Sequence, residues 1–320
     1  MLELPKTLLL ALVLDAAFGD PAWLYGRLPH PVVLIGQAIA WLDRRCNREQ
    51  ADDGARRLAG IFVVALLVGA AAALGLIIHV LLRRIAFGWV LEAAITSLFL
   101  AQHSLYRHVA EVARALVSEG LAGGRRAVSR IVGRDPESLD EAGICRAALE
   151  SLAENFSDGV VAPMFWAILA GLPGILVYKT VNTADSMIGH RTTRHLAFGW
   201  AAARLDDLLN LVPARVAGLL LVAAGMFLPG VAPRKAFAAM IRDAGKHRSP
   251  NAGWQEAALA GALGVALAGP RQYGGKPVED HWMNEGERRG ATVGDIKRGL
   301  SLYAIACFLQ AAILALFTAI

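Results

Sequence analysis

RRLAGIFVVALLVGAAAALGLIIHVLLRR, residues 56–84, decides the fold. Between its two arginine pairs lie 25 residues, Leu58 to Leu82, with no acid, lysine or arginine. As a helix rising 1.5 Å per residue, that run crosses the roughly 30 Å hydrocarbon layer of a bilayer. The composition agrees. Of 320 residues 56% are hydrophobic and 18% charged, and the mean hydropathy is +0.46; an ordinary soluble domain carries roughly 25% charged residues. The formal net charge of +5 and the pI of about 9.3 would suggest nucleic acid for a soluble chain. Here the basic residues sit between apolar stretches, where a membrane protein carries them, so no nucleic-acid partner is expected.

Working outward, Leu211 to Val231 and Ser301 to Ile320 read as further spans, the first with Arg215 near its start, able to snorkel to the interface. Leu4 to Phe18 is short and holds Asp15, and Ile85 to Ala101 holds Glu92. Val160 to Tyr178 is interrupted by Gly171-Leu172-Pro173-Gly174. The expected fold is all-α: a polytopic helical membrane protein with amphipathic and re-entrant helices, one integral-membrane domain over residues 1–320. Hydrophilic segments 102–158, 179–208 and 232–299 separate the spans and are expected to form the active site. The first of them reads as amphipathic helix with a turn at Gly123-Gly124 and a second break near Gly133 to Pro136. Every loop is positive, so charge bias does not set the orientation. Cys46, Cys145 and Cys307 are scattered and fit neither a metal spacing nor a disulfide framework. The N-terminal apolar run leads into Asp15 and a Gly19-Asp20-Pro21 turn rather than a small-residue cleavage site, and reads as retained.

Four polar clusters carry the chemistry. In SLAENFSDGVVAP, residues 151–163, Glu154 and Asp158 extend a stripe begun by Glu150 at i, i+4 and i+8 on a helix. Like charges at that spacing repel unless a cation or a substrate ammonium neutralises them; the bland reading is a solvated acidic face beside Arg146. YKTVNTADSMIGHR, residues 178–191, puts Lys179, Asn182, Asp185 and Ser186 within two helical turns, with Gly189 placed to end the helix and Arg191 beyond it. Such a set can hold a phosphate with a divalent ion, or be an interfacial capping network. FGWAAARLDDLLNLVPAR, residues 198–215, offers Arg204 and the adjacent acids Asp206 and Asp207 at the mouth of an apolar span. Hard oxygen ligands of this kind suit magnesium, and the alternative is a helix-end salt bridge. In HRSPNAGWQEAALAGALGVALAG, residues 247–269, Ser249-Pro250 reads as N-cap and first helical position, Ser249 and Asn251 as an anion site, and Glu256 as an acid or base. The small residues after Glu256 allow close helix packing. The chain contains no G-x-x-x-x-G-K-[ST], H-E-x-x-H or C-x-x-C motif, and no dinucleotide G-x-G-x-x-G after a strand, so no common nucleotide fold and no zinc or iron–sulfur site is expected.

With FGDPAWLYGRLPHPVVLIG, residues 18–36, these clusters resemble the adenosylcobinamide-phosphate synthase family, the CbiB/CobD membrane proteins of cobalamin biosynthesis. The order GDP, HPV, ENFSDG, NTADSM, ARLDD with N and PAR, then SPNAGW with EAA and AGALG covers nearly the whole chain. The resemblance implies a multi-pass protein of the cell inner membrane, set in the lipid bilayer, with other membrane-bound late cobalamin enzymes as partners. It implies an ATP-dependent amide ligase that joins (R)-1-amino-2-propanol, or its O-phosphate, to the propionate f carboxylate of the corrinoid adenosylcobyric acid. ATP and Mg2+ are the implied cofactors. Glu154, Asp158, Asp185, Asp207 and Glu256 are the candidate catalytic acids and bases, and Asp185, Asp206 and Asp207 the candidate metal ligands. Lys179, Asn182, Ser186, Arg191, Arg204, Ser249 and Asn251 are the candidate substrate and phosphate contacts. Two other classes compete: a transporter, which predicts internal repeats and more spans, and a regulatory membrane protein of the AmpE type, which does not require these clusters.

One conflict remains within the sequence. If 160–178 and 211–231 were both simple spans, NTADSM would face the opposite side of the membrane from ENFSDG and SPNAGW. A helix broken at Gly171–Gly174 resolves the first discordance, and a site recessed between helices and opening to the cytoplasm resolves the second.

Overall fold

A computed structural model describes residues 3–20, 25–132, 136–190, 192–273, 276–278 and 280–319. In chain order the principal helices are α1 Glu3–Phe18, α2 Pro31–Cys46, α3 Asp53–Leu82, α4 Gly88–Ser97 and α5 Gln102–Val128. They continue with α6 Glu141–Phe156, α7 Ala162–Ile188, α8 Trp200–Leu209 and α9 Leu211–Ala224. Last come α10 Pro233–Asp243, α11 Ala252–Leu263 and α12 Val293–Ala319. Short antiparallel pairs interrupt the helical pattern, Leu267–Ala268 with Trp282–Met283 and Arg271–Tyr273 with Lys276–Val278. The fold is all-α in substance, as the sequence predicts.

Three described helical runs are long and apolar enough to cross a membrane: Asp53–Leu82, Glu141–Ile188 and Val293–Leu316. A bent pair, α8 with α9 at 46°, makes a fourth. On α3 the Asp52 carboxylate caps the N-terminus by accepting from the Ala55 amide at 3.0 Å. Beyond it Leu58, Phe62, Leu74 and Ile77 are each more than half exposed, and only 22% of the most apolar window is buried. An outward apolar surface of that size is unfavourable in water and suits lipid. The chain is a multi-pass helical membrane protein.

The expected spans need trimming. The stretch Leu211 to Val231 stops being helical at Ala224, and 14 residues rise only about 21 Å. It crosses only if α8 is counted with it. Likewise α4 has 10 residues rather than the 17 of Ile85 to Ala101, too short to span. The turn expected at Gly123-Gly124 is absent: both are buried inside α5, and the non-helical residue is Gly120 at φ 65°. The break near Gly133 to Pro136 falls mostly outside the described residues, and Pro136–Ser138 forms a 3₁₀ turn.

The break expected at Gly171 is present. Ala170 (φ −138°, ψ 18°) and Gly171 (φ 60°, ψ −148°) leave the helix, and Pro173 follows within the next turn. A positive φ is nearly cost-free only for glycine, and Pro173 removes an amide donor. The helix then resumes through NTADSM to Ile188, so residues 179–188 are the polar end of a long helix rather than a separate hydrophilic segment.

The chain clusters into two compact units, one of residues 1–101, 162–210 and 314–320, the other of 102–161 and 211–313. In the first, α3 packs on α7 and α8 so closely that a Cβ on Gly75 would lie 2.6 Å from Pro173 Cα, and one on Gly60 1.9 Å from the Phe198 carbonyl oxygen. Its core is Ile39, Val63, Ile188 and Phe198, none more than 2% exposed. In the second, α11 is buried except at the half-buried Trp254 and packs against α9 and α10. A Cβ on Gly261 would lie 2.7 Å from the Lys235 carbonyl oxygen, which is the close approach its small residues allow. The ring of Phe156 meets Tyr303 edge-on at 5.4 Å, and the Tyr303 hydroxyl donates to the Gln102 carbonyl at 2.9 Å.

Two glycines of α3 test this packing. Gly75→Ala is expected to destabilise by about 1–3 kcal/mol, since backbone rather than a movable side chain receives the methyl. Gly69→Ala meets nothing within 4 Å and is expected to be neutral or stabilising by up to about 1 kcal/mol. Thermal denaturation of both in detergent checks the pair; equal midpoints would refute the close contact.

Candidate functional site

In the first unit, the second half of α7 and the whole of α8 bring the NTADSM and ARLDD clusters together. Asp206 is 9% exposed, and its carboxylate is clamped by two amides: Asn182 Nδ2 donates to Oδ1 at 3.4 Å and Asn210 Nδ2 to Oδ2 at 2.9 Å. Asn210 is itself oriented by the Tyr178 hydroxyl, which donates to Asn210 Oδ1 at 2.9 Å from a fully buried ring. A buried carboxylate needs such donors, because an isolated one is prohibitively costly to desolvate. The indole of Trp166 donates to the Leu209 carbonyl at 3.1 Å, where the backbone bends between α8 and α9.

Around this line stand the other expected residues. Lys179 is half-buried one turn before Asn182, and the exposed Ser186 donates to the Asn182 carbonyl at 2.9 Å. Asp185 folds toward the backbone that follows it: a Cβ on Gly189 would lie 1.9 Å from Asp185 Oδ1. Asp207 points elsewhere, pairing with the exposed Arg204 at 3.3 Å. Arg191 lies outside the described residues. Asp206 thus meets Asn182, while Asp207 joins Arg204 in the helix-end pair that was the plainer reading of that cluster. Among the described residues no three of His, Cys, Asp and Glu converge on a metal position. A magnesium ion here would take one or two protein carboxylates and otherwise oxygen from substrate and water, which is its usual habit.

The return from α7 to α8 is tied down by a network that the sequence reading missed. Arg194 donates to Asp43 Oδ2 at 3.0 and 3.3 Å and pairs with Glu49. Asp43 also accepts from Asn47 Nδ2 at 2.8 Å, and Arg56 reaches Asn47 Oδ1 at 3.1 Å and the Arg194 carbonyl. Burial alone would raise the Asp43 pKa; the hydrogen bonds from Asn47 and Arg194, with the charges of Arg194 and His195, outweigh it and hold the carboxyl below its ordinary value. Asp43 and Asn47 at i, i+4 were visible in WLDRRCN, but nothing local announces a partner 151 residues away.

In the second unit the acidic stripe does not form as spaced. Glu150 is buried and accepts the Ala268 amide at 2.9 Å, a structural role. Glu154 is exposed, and the helix then widens into a π turn, Ser157–Val161, which carries the half-buried Asp158 off the 3.6-residue stripe. The first helical residue of α11 comes two positions later than the expected Pro250. The Ser249 Oγ does accept from the amides two and three residues on, Asn251 at 3.2 Å and Ala252 at 3.4 Å, as an N-cap residue would. The helix begins at Ala252, and Asn251, not Ser249, is the boundary residue. Glu256 is 2% exposed, with His247 Nε2 3.9 Å away, and His247 Nδ1 accepts the Ser249 amide at 3.0 Å. Two fully buried polar atoms here, Ser157 Oγ and Gln255 Oε1, have no protein hydrogen-bond partner. Buried polar atoms are ordinarily paired, so these mark places for water or ligand. Asp243, wholly buried, is held by Arg242 at 2.6 Å, by Lys246 at 2.8 Å and by the Asn284 amide at 2.8 Å. Burial would raise its pKa, but these donors dominate and set it at about 2.

Residues 8–303 match the protein family described as CobD/Cbib protein. A Sinorhizobium protein named cobalamin biosynthesis protein CobD is 53% identical over 306 residues, 95% of each chain. One of that name from Rhizobium meliloti (strain 1021) is 51% identical over 95% of this chain and 94% of its own, and one from Rhodobacter capsulatus 47% over 92% and 91%. No solved structure matches significantly.

Asp243 provides a pH test that separates a structural carboxylate from a functional one. Because its pKa is depressed when folded, its stabilisation is present above the unfolded value near 3.8 and is lost as pH falls through about 2. Asp243→Asn is expected to cost about 2 kcal/mol at neutral pH, with the deficit shrinking toward pH 2. Denaturation midpoints measured across that range check it; a deficit independent of pH would refute the assignment.

Proposed function

The chain belongs to the CobD/CbiB family and takes part in cobalamin biosynthesis, and from that premise we propose that it is the ligase that attaches an aminopropanol arm to a corrinoid. The substrates are adenosylcobyric acid, (R)-1-amino-2-propanol or its O-phosphate, and ATP, and the protein sits in the cell inner membrane with the site open to the cytoplasm. The observation that carries this reading is the buried Asp206 carboxylate, clamped by Asn182 and Asn210 one turn from Lys179. An acid, two amides and a cation at the polar end of a membrane helix suit a phosphate-bearing substrate better than a lipid-facing anchor.

A carboxylate resists attack by an amine, because its charge repels the nucleophile and an oxide ion is a poor leaving group. Phosphoryl transfer from ATP onto the carboxylate oxygen releases ADP and makes that oxygen displaceable. The amine nitrogen then bonds to the carbonyl carbon, phosphate departs and one proton is lost. Such chemistry depends on positioning and charge neutralisation. Lys179 and Arg204 are the proposed phosphate contacts, with Ser186 and Asn182 beside them. Asp206 and Asp185 suit Mg2+, which when bound offsets phosphate charge. Their two carboxylates are compatible with an ion that draws its remaining oxygens from substrate. Asp207 acts here by holding Arg204. Within the second unit, Glu256 with His247 is the proposed acid–base pair, with Ser249 and Asn251 at the same end of α11. Glu154 and Asp158 remain candidates for the same role.

The test is turnover by purified protein in lipid nanodiscs, read as cobinamide or cobinamide phosphate by mass spectrometry and as ADP. Asp206→Asn and Lys179→Gln are each expected to lower turnover by about 100-fold or more, Lys179→Gln with a thermal midpoint within a few degrees of the parent. ADP release should require both corrinoid and amine. Unchanged turnover in both variants would sink the proposed site, and ATP-independent product would sink the ligase chemistry.

A further inference from the structure

A cavity of about 710 Å³ lies in the first unit, at the far end of α3 from the Arg56–Arg194 cluster. From Arg56 to His79 the helix rises about 35 Å, the thickness of the hydrocarbon layer, so this cavity opens at the other membrane interface. The break in α7 lines it, through Ala170, Gly171 and Pro173, together with the end of α3, the start of α4 and the first turns of α1. No residue of the proposed ligase site borders it. Its volume falls within the roughly 300–1,000 Å³ of ordinary ligand sites.

The lining divides by chemistry. Glu92 is 6% exposed and both its oxygens meet His79 Nδ1, at 2.9 and 3.0 Å. Glu3 adds a second acid, and Arg83, exposed at the end of α3, supplies a cation. The rim is apolar and faces outward: Leu76, Ile85, Phe87 and Leu169 are each more than half exposed. Trp89 completes it, an aromatic at interface depth. A buried carboxylate such as Glu92 is costly unless it is compensated, and the exposed Glu3 leaves a further negative charge at the mouth.

We propose that this cavity binds the headgroup of a zwitterionic aminoalkyl phospholipid such as phosphatidylethanolamine. The ammonium faces Glu92 and Glu3, the phosphate meets Arg83, and the acyl chains lie along the apolar rim. An anionic headgroup lacking the ammonium would set a net negative charge against two acids, and is disfavoured. The same aminoalkyl phosphate chemistry exists in soluble form, but the outward apolar rim favours the lipid.

Native mass spectrometry of the purified protein tests this, with equal amounts of phosphatidylethanolamine and phosphatidylglycerol supplied in detergent. The parent is expected to retain phosphatidylethanolamine at least about fivefold over phosphatidylglycerol, a difference near 1 kcal/mol. Glu92→Gln should abolish that preference. Arg83→Gln, an exposed change that leaves the fold intact, should weaken retention of both lipids. Equal retention of the two by the parent, or an unaltered preference in Glu92→Gln, overturns the proposal. Phosphoethanolamine is added as a soluble competitor: failure to displace the lipid supports the lipid assignment, and displacement at low concentration would reassign the cavity to a soluble aminoalkyl phosphate.

Discussion

The clamp on Asp206 is the interaction around which the first unit is arranged. A carboxylate 9% exposed, on a helix in an apolar bundle, is tolerable only if donors replace the water it has lost. Asn182 supplies one from α7 and Asn210 the other from the C-terminal end of α8. Tyr178 prevents the Asn210 amide from turning the wrong way round, because its hydroxyl needs the amide oxygen as acceptor. Side chains from two helices are thereby locked in register, and the polar end of α7 is held where Lys179 and Ser186 line one face. The Asp43, Arg194, Asn47 and Arg56 network performs the complementary task from below, pinning the loop that connects those two helices.

Three backbone irregularities interrupt the helices, and each has a support. Gly171 adopts a left-handed conformation beside Pro173, and α3 backs the break closely because Gly75 offers no side chain there. The π turn at Ser157–Val161 lies within ENFSDG, where a widened turn frees backbone groups next to the buried Ser157 hydroxyl. The bend between α8 and α9 falls at Asn210, the residue that also clamps Asp206. Irregular backbone survives at membrane depth only where protein or a polar cavity satisfies it. The π turn and the bend at Asn210 coincide with candidate residues, whereas the break at Gly171 falls in the apolar stretch that precedes them.

Carboxylates in this chain divide by what holds them. Asp243, Asp295 and Glu150 are embedded in donors from their own fold: Arg242 and Lys246, Arg288 and Thr292, and the Ala268 amide. Saturated in that way, they have little left to offer a ligand. Asp206 is held instead by the neutral amides of Asn182 and Asn210, and the buried Glu256 has His247 Nε2 3.9 Å away. Counting acids in the sequence does not distinguish these groups; counting their donors does.

By itself the sequence determined that the chain is a helical membrane protein, because 25 apolar residues between arginine pairs have one inexpensive solution in a bilayer, and it located the break at Gly171, because glycine and proline act on their own backbone. It also located the polar clusters, whose order carried the family. Tertiary structure alone decided which acids are spent on the fold. The expected stripe through Glu150, Glu154 and Asp158 assumed an unbroken 3.6-residue period, and neither the π turn nor the amide of Ala268, 118 residues on, leaves a local trace. The same holds for Asp43 and Arg194, and for the truncation of the 211–231 span at Ala224. Hydropathy and capping act over a few residues, so one sequence reports them. A donor's choice of acceptor depends on which helices come to lie side by side, and that is settled only when the apolar faces pack.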